Sequence, residues 1–288
     1  MRRALVVANP VAGRGRGLAA AQAVVAGLER HGVAATLHLT RGRGDGAARV
    51  AAPADEDVVV AVGGDGTLRE VLAGLPPRDV PIGVVPAGTA NVLALDLALP
   101  RDPARAVDVI LAGRTTALDT GRVNGHLCFL VTGVGLDGEV VRAIDRRRRG
   151  PITRWHYAAA LVRLLPRYRP ARLSVEVDGE AHQPGCVSVL ISNSVRYAGI
   201  FRLSAERRLD DGRFEVYLFG GRGRAALLGG ALRGLLGRLP GGACTLRRAR
   251  RVRVSADVPV AVQVDGDPGG TTPVEFEVAE RRYRVLVP

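Results

Sequence analysis

The feature that most constrains the fold is the stretch VVVAVGGDGTLREVLAGL, residues 58–75. Its first five residues are mostly β-branched, which is typical of a strand covered on both faces of a parallel sheet. Apolar residues then recur with the spacing of one helical face, at Leu68, Val71, Leu72 and Leu75. The stretch therefore predicts a buried strand that runs directly into a helix.

The junction between this strand and helix has the composition of an anion-binding loop. Thr67 and Glu70 have the spacing of a capping box, which predicts that the helix begins at Thr67. The three glycines around Asp65 allow a sharp turn that brings backbone N–H groups near a ligand, and a helix N-terminus attracts phosphate. A carboxylate facing phosphate would be repelled unless it holds Mg²⁺ or takes a proton from a hydroxyl. The alternative is a solvated Asp65 in an ordinary Asp-Gly turn.

The alternation of strand and helix recurs along the first 117 residues. Strands are predicted at Arg3–Ala8, Ala34–Thr40, Val58–Val62 and 80–86, and helices near Leu18–His31, Gly46–Ala52 and Val92–Leu97. Strands joined to helices by short loops predict a parallel sheet with right-handed crossovers. In such sheets ligands bind at the carboxyl ends of the strands, where three glycine-rich or polar loops would meet here.

The sequence changes character after about residue 117. The later segments are short, alternate apolar with polar residues and mostly end in Asp-Gly or Gly-Pro turns, which predicts antiparallel strands. The predicted fold is α/β, with an N-terminal parallel α/β domain, residues 1–117, and a C-terminal, mainly antiparallel β-sandwich domain, residues 118–275. Residues from about 276 to 288 are free to return to the first domain.

The composition is that of a globular protein, and we expect it to be cytosolic. The chain has 288 residues, of which 47% are hydrophobic, enough for a sizeable core. No apolar run reaches the roughly 18 residues of a membrane span, and Pro10 interrupts the N-terminal apolar stretch too early for a signal peptide. Three widely spaced cysteines give neither a disulfide framework nor the spacing of a zinc site.

Arginine is the only source of permanent positive charge among the side chains. The sequence contains no lysine, 41 arginines and a formal net charge of +13. The absence of lysine excludes a Gly-Lys-Ser/Thr phosphate loop, the strand lysine of protein kinases and Schiff-base chemistry. The charge favours anionic partners such as phosphate, nucleic acid or an acidic lipid surface. Aromatic residues are only 4%, so few bases could be stacked, and we expect no nucleic-acid partner.

Six short motifs occur in one order across nearly the whole chain. They are NP at 9–10, GGDGT at 63–67, GTAN at 88–91, GVGLD at 133–137, DG at 211–212 and DGD at 265–267. In this order the sequence resembles the diacylglycerol kinase catalytic-domain family, which includes bacterial lipid kinases and sphingosine kinases. GGDGT is shared with NAD kinases, whose fold is similar, whereas GTAN with the late acidic motif points to lipid kinases.

The resemblance implies a two-domain kinase whose first domain is Rossmann-like, similar to NAD kinase and phosphofructokinase. Such an enzyme moves the γ-phosphate of ATP to the hydroxyl of a lipid, diacylglycerol or a related lipid alcohol, with Mg²⁺. By motif position, the expected ATP contacts are Asn9, Thr40, Gly63, Gly64, Asp65, Gly66, Thr67, Leu68, Arg69, Gly88, Thr89 and Asn91.

The resemblance also implies catalytic and metal-binding residues. Asp267 matches the acid that serves as general base in bacterial members, and Asp65 matches a loop acid assigned to catalysis or Mg²⁺ in others, so the choice between them stays open. A structural Mg²⁺ would bind at Asp211 and at groups of Arg208 and Arg213, for which their backbone carbonyls are the suitable oxygen ligands.

Two positions depart from the family pattern. Ala12 stands where the family usually has Ser, and Val92 replaces the Asp usual after GTAN. The shared GGDGT motif and these departures leave an NAD kinase-like phosphotransferase and a catalytically inactive relative as alternatives. The sequence does not name the lipid, and it leaves a homodimer open. We expect a cytoplasmic protein that associates peripherally with the anionic inner membrane surface.

Two motifs have a second possible interpretation, DGD at 265–267 and the glycine-rich segment at 133–138. The turn at 178–180 has nearly the same letters as that at 265–267, and family order alone selects the second one. Residues 133–138 spell the dinucleotide fingerprint, but an arginine run cuts off the crossover and no acid follows about 20 residues later. We therefore exclude a dinucleotide site there and keep Asp137 as a candidate for a polar role.

Two further segments concern surface properties. The arginine run at 146–149 is interpreted as a solvated charged face, with contact to anionic lipid as the alternative. Four leucines share one face of a predicted helix, Leu228, Leu232, Leu235 and Leu239. We expect that face to pack against the core rather than to lie on a membrane.

Overall fold

The computed structural model describes residues 1–53, 55–76, 79–146, 154–197, 201–203, 208–221 and 223–288. The chain divides into two compact units. The first comprises Met1–Leu118 together with Arg282–Pro288, and the second comprises Asp119–Arg281. Of the predicted charge run, Arg146 is exposed, whereas residues 147–149 lie outside the described residues.

The first unit is a parallel sheet with helices between its strands. Its elements, in chain order, are β1 (Arg3–Ala8), α1 (Ala12–Arg30), β2 (Ala34–Leu39), α2 (Asp45–Ala51), β3 (Val58–Gly63), α3 (Asp65–Gly74), β4 (Ile82–Pro86), α4 (Val92–Asp96), α5 (Pro103–Ala112) and β5 (Thr115–Leu118). Strands β2, β1, β3 and β4 lie side by side in that order and are parallel, which confirms the predicted α/β class. Every residue of β3 is buried, as expected of a strand with cover on both faces.

The second unit is built mainly from antiparallel strands. Its elements, in chain order, are β6 (Gly121–Val123), β7 (His126–Cys128), β8 (Val131–Val134), α6 (Leu136–Asp145), α7 (Arg154–Leu164), β9 (Leu173–Val177), β10 (Glu180–Cys186), β11 (Ser188–Ser192), β12 (Arg196–Tyr197), β13 (Phe201–Arg202), β14 (Phe214–Phe219), α8 (Gly223–Leu235), β15 (Cys244–Ala249), β16 (Arg251–Ala256), β17 (Ala261–Val264), β18 (Asp267–Thr271) and β19 (Val274–Val278). The strands pair through tight turns, and this confirms the prediction for the second half of the chain.

Two six-stranded sheets enclose the core of the second unit. Their strand orders are β10-β9-β16-β19-β6-β7 and β15-β14-β11-β8-β17-β18. Alternate residues of both sheets face one apolar core, in which Val189, Phe214 and Phe276 are almost fully buried. β8 carries Gly133 and pairs antiparallel with β11 and β17, so the fingerprint at 133–138 does not lie in a parallel dinucleotide-binding unit.

A strand from the end of the chain completes the sheet of the first unit. β20 (Tyr283–Leu286) lies between β4, to which it is parallel, and β5, to which it is antiparallel. The return to the first unit starts at Arg282, later than the expected position near residue 276, because β19 still pairs with β16 and β6 in the second unit. A parallel neighbour that is far away in sequence cannot be identified from local patterns.

The leucine-rich helix departs from expectation. Leu228 and Leu232 of α8 are exposed, so the prediction that this face packs on the core is wrong. The neighbouring Leu227 is buried instead. Leu239 is half-buried, and the side chain of Leu235 lies outside the described part of the chain. In the described ranges, no helix combines the length and the apolar character that crossing a bilayer would need.

Candidate active site

Three loops of the first unit meet at the carboxyl ends of neighbouring strands. They follow β1, β3 and β4, which are adjacent and parallel in the sheet. Glycines permit the backbones to approach closely: a Cβ on Gly13 would overlap the carbonyl oxygen of Ala87, and a Cβ on Gly88 would lie 2.5 Å from the Cα of Gly64. The structure thus brings the NP, GGDGT and GTAN loops together, and glycine is a steric requirement where they touch.

The Asp65 carboxylate joins two of these loops. Its oxygens accept hydrogen bonds from the N–H groups of Val92, at 3.0 Å, and Leu93, at 3.4 Å. These are the first N–H groups of α4, which have no acceptor within that helix, so Asp65 caps α4 from outside. Asn91 precedes α4 in a left-handed conformation, with φ 49°, and bonds the Gly88 backbone through both polar atoms of its side chain. Asp65 is therefore held at the junction of the loops and is not an ordinary solvated turn residue.

The capping box predicted for Thr67 and Glu70 is wrong. α3 begins two residues earlier, and its N-cap residue makes no side-chain hydrogen bond. The Glu70 carboxylate instead accepts the N–H groups of Gly44 and Gly46, both at 3.0 Å. Glu70 therefore ties α3 to the loop after β2, the loop that also carries Thr40.

The residues predicted to contact ATP all lie in the first unit, at the carboxyl ends of β1 to β4. Asn9 follows β1, Thr40 follows β2, residues 63–69 form the junction of β3 with α3, and residues 88–91 follow β4. The side chains of Thr67 and Leu68 are buried, with exposed fractions of 7% and 1%. Because these side chains point into the protein, only the backbone at these two positions is suited to face a ligand.

The DGD motif forms the turn between β17 and β18 in the second unit. Asp265 and Gly266 both have positive φ, 49° and 84°, as a two-residue hairpin turn of the primed type requires. The Asp265 carboxylate accepts three consecutive backbone N–H groups, those of residues 129–131, at 2.9 to 3.0 Å. This anchor fixes the turn, and Asp267, half-buried, is the first residue of β18.

The related turn at 178–180 has the same local geometry. Asp178 and Gly179 have φ 51° and 90°, and the Asp178 carboxylate accepts the N–H groups of Arg250 and Arg251. Glu180, the counterpart of the candidate base, is exposed. Local sequence therefore specifies the same hairpin twice, and the two turns differ only in their tertiary surroundings.

A buried carboxyl group is linked to the turn at 265–267 through Gln263. The Gln263 amide oxygen accepts the Gly266 N–H at 2.8 Å, and its side chain also bonds Asp137. Burial raises the pKa of Asp137 to about 7, and the hydrogen bond from Gln263 offsets part of that effect. The carboxyl packs over Gly133, where any side chain would overlap it, and its Oδ2 has no hydrogen-bond partner within the described part of the chain.

The predicted metal position lies in the turn before β14. The Asp211 carboxylate accepts the Arg213 N–H at 3.0 Å, and the Arg208 guanidinium pairs with Asp210. The turn is attached to the unit by the buried Asp119, whose carboxylate accepts the Gly212 N–H. Among the described residues, no group of three His, Cys, Asp or Glu side chains could hold a metal ion. A cation at Asp211 would therefore need backbone carbonyls as its other protein ligands.

Comparison with known proteins covers both units. Residues 3–123 match the model of the diacylglycerol kinase catalytic domain, and residues 131–287 match that of the YegS C-terminal NAD kinase beta sandwich-like domain. A strand-helix unit with glycine loops at its strand ends, followed by such a sandwich, defines the kinase fold of this class. The chain belongs to the diacylglycerol kinase catalytic-domain family, as the sequence resemblance predicted.

Individual relatives are similar to this protein over almost the whole length of the chain. A diacylglycerol kinase of Bacillus subtilis (strain 168) is 30% identical over 294 residues, covering 100% of this chain and 97% of that protein. One of Staphylococcus haemolyticus is 28% identical, covering 99% and 88%. A solved diacylglycerol kinase structure from Bacillus anthracis superposes with a TM-score of 0.75 at 19% identity, covering 100% and 97%, which shows the common fold.

The roles of several residues that shape these sites were missed by sequence reasoning, and Glu70 was assigned to the wrong partner. Glu70, Asp119 and Gln263 each hold a loop or turn by binding a backbone N–H group that is distant in sequence or lies in the next turn. Gln263 could have been noticed, because it is the polar residue in the apolar segment VPVAVQV. Glu70 and Asp119 carry no such signal, since their partners are not neighbours in the sequence.

Proposed function

We propose that this protein is an ATP-dependent lipid kinase, which transfers the γ-phosphate of ATP to the hydroxyl of diacylglycerol or a related lipid alcohol. The observation that carries the proposal is the meeting of three glycine loops at adjacent strand ends, within a chain whose full length matches relatives named diacylglycerol kinase. Phosphoryl transfer depends mainly on positioning and charge, and backbone N–H groups with arginines can supply both.

The glycine contacts support the assignment of nucleotide binding to the first unit. At Gly13 and Gly88 a Cβ would overlap the backbone of the facing loop, so only glycine lets the three loops converge at the strand ends, where parallel sheets bind phosphates. In this proposal Asn9, Thr40 and the backbone of residues 63–69 and 88–91 hold ATP. Asp65 has a positioning role, because its carboxylate fixes α4 to the GGDGT loop.

In the second unit we assign the general base to Asp267. The carboxylate stands at the start of β18 on a turn that Asp265 and Gln263 hold in place, whereas its counterpart Glu180 is exposed. A base needs such fixed placement to accept the proton of the lipid hydroxyl as the phosphoryl bond forms.

We propose Mg²⁺ in two roles, one as the ion bound with ATP and one as a structural ion at the turn of Asp211. Carboxylate and carbonyl oxygens are the donors that Mg²⁺ takes, and the turn of Asp211 offers them together with the backbone of Arg208 and Arg213. When bound with ATP, the ion neutralises charge on the transferring phosphoryl group.

The proposal is tested by measuring transfer of labelled γ-phosphate from ATP to a total lipid extract. The assay is run with wild type, Asp65→Asn and Asp267→Asn. We expect a labelled lipid with wild type and a loss of about a hundredfold or more in rate for Asp267→Asn, because the amide cannot take the proton. Asp65→Asn keeps an oxygen for the Val92 N–H, so we expect a smaller loss. Glu180→Gln, at the exposed counterpart turn, is the matched control and should retain wild-type rate.

The same assay with NAD as acceptor tests the alternative. The second unit matches a domain described as NAD kinase beta sandwich-like, which makes NAD the specific competing acceptor. Labelled NADP without labelled lipid would replace the proposal by an NAD kinase. Folded wild type that labels neither acceptor at any Mg²⁺ concentration would support the inactive relative.

A further inference from the structure

Helix α8 presents a row of leucines to solvent. Leu228, Leu232 and Leu236 have exposed fractions of 50%, 58% and 57%, whereas the adjacent Leu227 is only 7% exposed. The N–H of Leu236 donates to the carbonyl of Leu232 at 3.1 Å, so helical geometry continues past the end of α8. Residues four apart lie on the same side of a helix, and the three leucines therefore form one face, which we term the leucine face.

The inner side of α8 is already occupied by the sheet. A Cβ on Gly230 would lie 2.8 Å from a ring carbon of Phe219 in β14, so the helix lies close against that strand at this point. Leu227 on this helix is buried, whereas the three leucines of the leucine face stay exposed. These leucines are consequently not needed to close the core.

The segment of sequence that contains the leucine face is rich in arginine. Between Val216 and Ala256 the sequence contains nine arginines and no acidic residue. Arg233 and Arg238, on the same helix and the turn after it, are exposed, and Arg233 packs beside Gly241 and Gly242. Apolar side chains with arginines around them are the pattern of a helix that lies in the interface of an anionic membrane.

We propose that α8 docks the protein on an anionic lipid bilayer, with Leu228, Leu232 and Leu236 entering the acyl boundary and nearby arginines contacting lipid headgroups. The inference rests on the proposed function, since an enzyme with a membrane-borne acceptor must reach the bilayer surface. A second copy of the chain fits less well, because the exposed Arg233 and Arg238 beside the leucine face would then lie near arginines of the same charge.

The test is sedimentation with vesicles of phosphatidylcholine alone and of phosphatidylcholine with phosphatidylglycerol. Wild type should bind the anionic vesicles and be released by salt, because surface attraction to lipid headgroups is screened. The variant Leu228→Ser/Leu232→Ser/Leu236→Ser should bind at least tenfold more weakly. Val258→Ser is the matched control, since Val258 is 54% exposed in the same unit but belongs to the turn between β16 and β17 and not to α8, and it should bind as wild type does.

Two results with the triple variant would overturn the docking surface. One is a triple variant that keeps its wild-type melting temperature and still binds anionic vesicles with wild-type affinity. The other is a wild-type dimer in gel filtration that the triple substitution converts into a monomer, which would assign the leucine face to a second copy. If the triple variant does not fold, Leu232→Trp replaces it, and its fluorescence relative to wild type, which contains one tryptophan, should shift to the blue with anionic vesicles only. An unshifted spectrum would likewise reject the proposal.

Enzyme assays separate this inference from the proposed function. The triple variant should phosphorylate a short-chain diacylglycerol dispersed in water at the wild-type rate, and should lose at least tenfold in rate when a long-chain acceptor is embedded in anionic vesicles. A wild type that binds vesicles through the leucine face but labels no lipid would retain the docking surface and reject the kinase proposal. Equal losses toward both acceptors would reject a docking role.

Discussion

The buried carboxyl of Asp137 shows how one residue gains its properties from tertiary surroundings. In the sequence it is an acid in the first turn of a helix, a position where a carboxylate is usually solvated and favourable. In the structure it is packed over Gly133 and bonded by Gln263, and burial raises its pKa to about 7. Its protonation is therefore coupled to folding over the range between its unfolded and folded pKa values.

We predict that Asp137→Asn stabilises the protein at alkaline pH. The folded-state pKa is raised, so the folded protein holds a proton that the unfolded chain releases, and wild-type stability falls as pH rises from about 4 to about 7. The neutral amide escapes this loss. Urea unfolding from pH 4 to 8 should show an advantage of the variant that grows up to pH 7, reaches about 2 to 4 kcal/mol and then stays constant. An advantage that is equal at pH 4 and pH 8 would contradict the coupling.

At the scale of elements, the predicted strands and helices of the first unit are found in order, but the contacts between their ends were not foreseeable. Hydrophobic periodicity placed β3 and α3 correctly, whereas the capping box assigned Glu70 to the wrong partner. A Thr and a Glu three residues apart are compatible with a local cap, and only the loop after β2 offered Glu70 two better-placed N–H groups. The loop contacts at Gly13 and Gly88 are likewise set by the sheet order.

We predict that Gly88→Ala destabilises the protein and weakens nucleotide binding. The new Cβ would lie 2.5 Å from the Gly64 Cα, and since that atom is backbone, the two loops must move apart. Overpacking of this kind costs about 1 to 3 kcal/mol. Gly42→Ala is the control, because a Cβ added there would meet no atom within 4 Å, and it should be neutral. Chemical unfolding and ATP titration measure the two effects, and a fully stable Gly88→Ala that binds ATP normally would refute the steric argument.

For the whole molecule, the decisive feature is the return of the chain end to the first unit. β20 comprises residues 283–286 and lies between β4 and β5. The sheet of the first unit therefore includes a strand that follows the whole second unit in sequence. Val285 and Leu286 are buried there, with exposed fractions of 0% and 2%. The first unit is therefore discontinuous in sequence, and the second is an insertion between its strands β5 and β20.

We predict that Val285→Ala lowers the free energy of unfolding by about 2 kcal/mol, because it opens a cavity at a fully buried side chain of β20. The neighbouring Arg284→Ala removes only an exposed ion pair with Asp79 and should cost under about 1 kcal/mol. Urea unfolding followed by circular dichroism measures both. Equal small effects would mean that the last strand contributes little to the first unit.

The sequence by itself determined the class of fold, the order of most elements, the family and the loops that carry its motifs, because these depend on periodicity, turn chemistry and short local patterns. Only the tertiary structure decided which carboxylates hold which backbone N–H groups, that the turns at 178–180 and 265–267 differ in surroundings and not in shape, and that the leucine face of α8 is exposed. These properties depend on contacts between residues far apart in the chain. Local sequence patterns do not identify such distant partners, and the burial of a side chain depends on the folded structure as a whole.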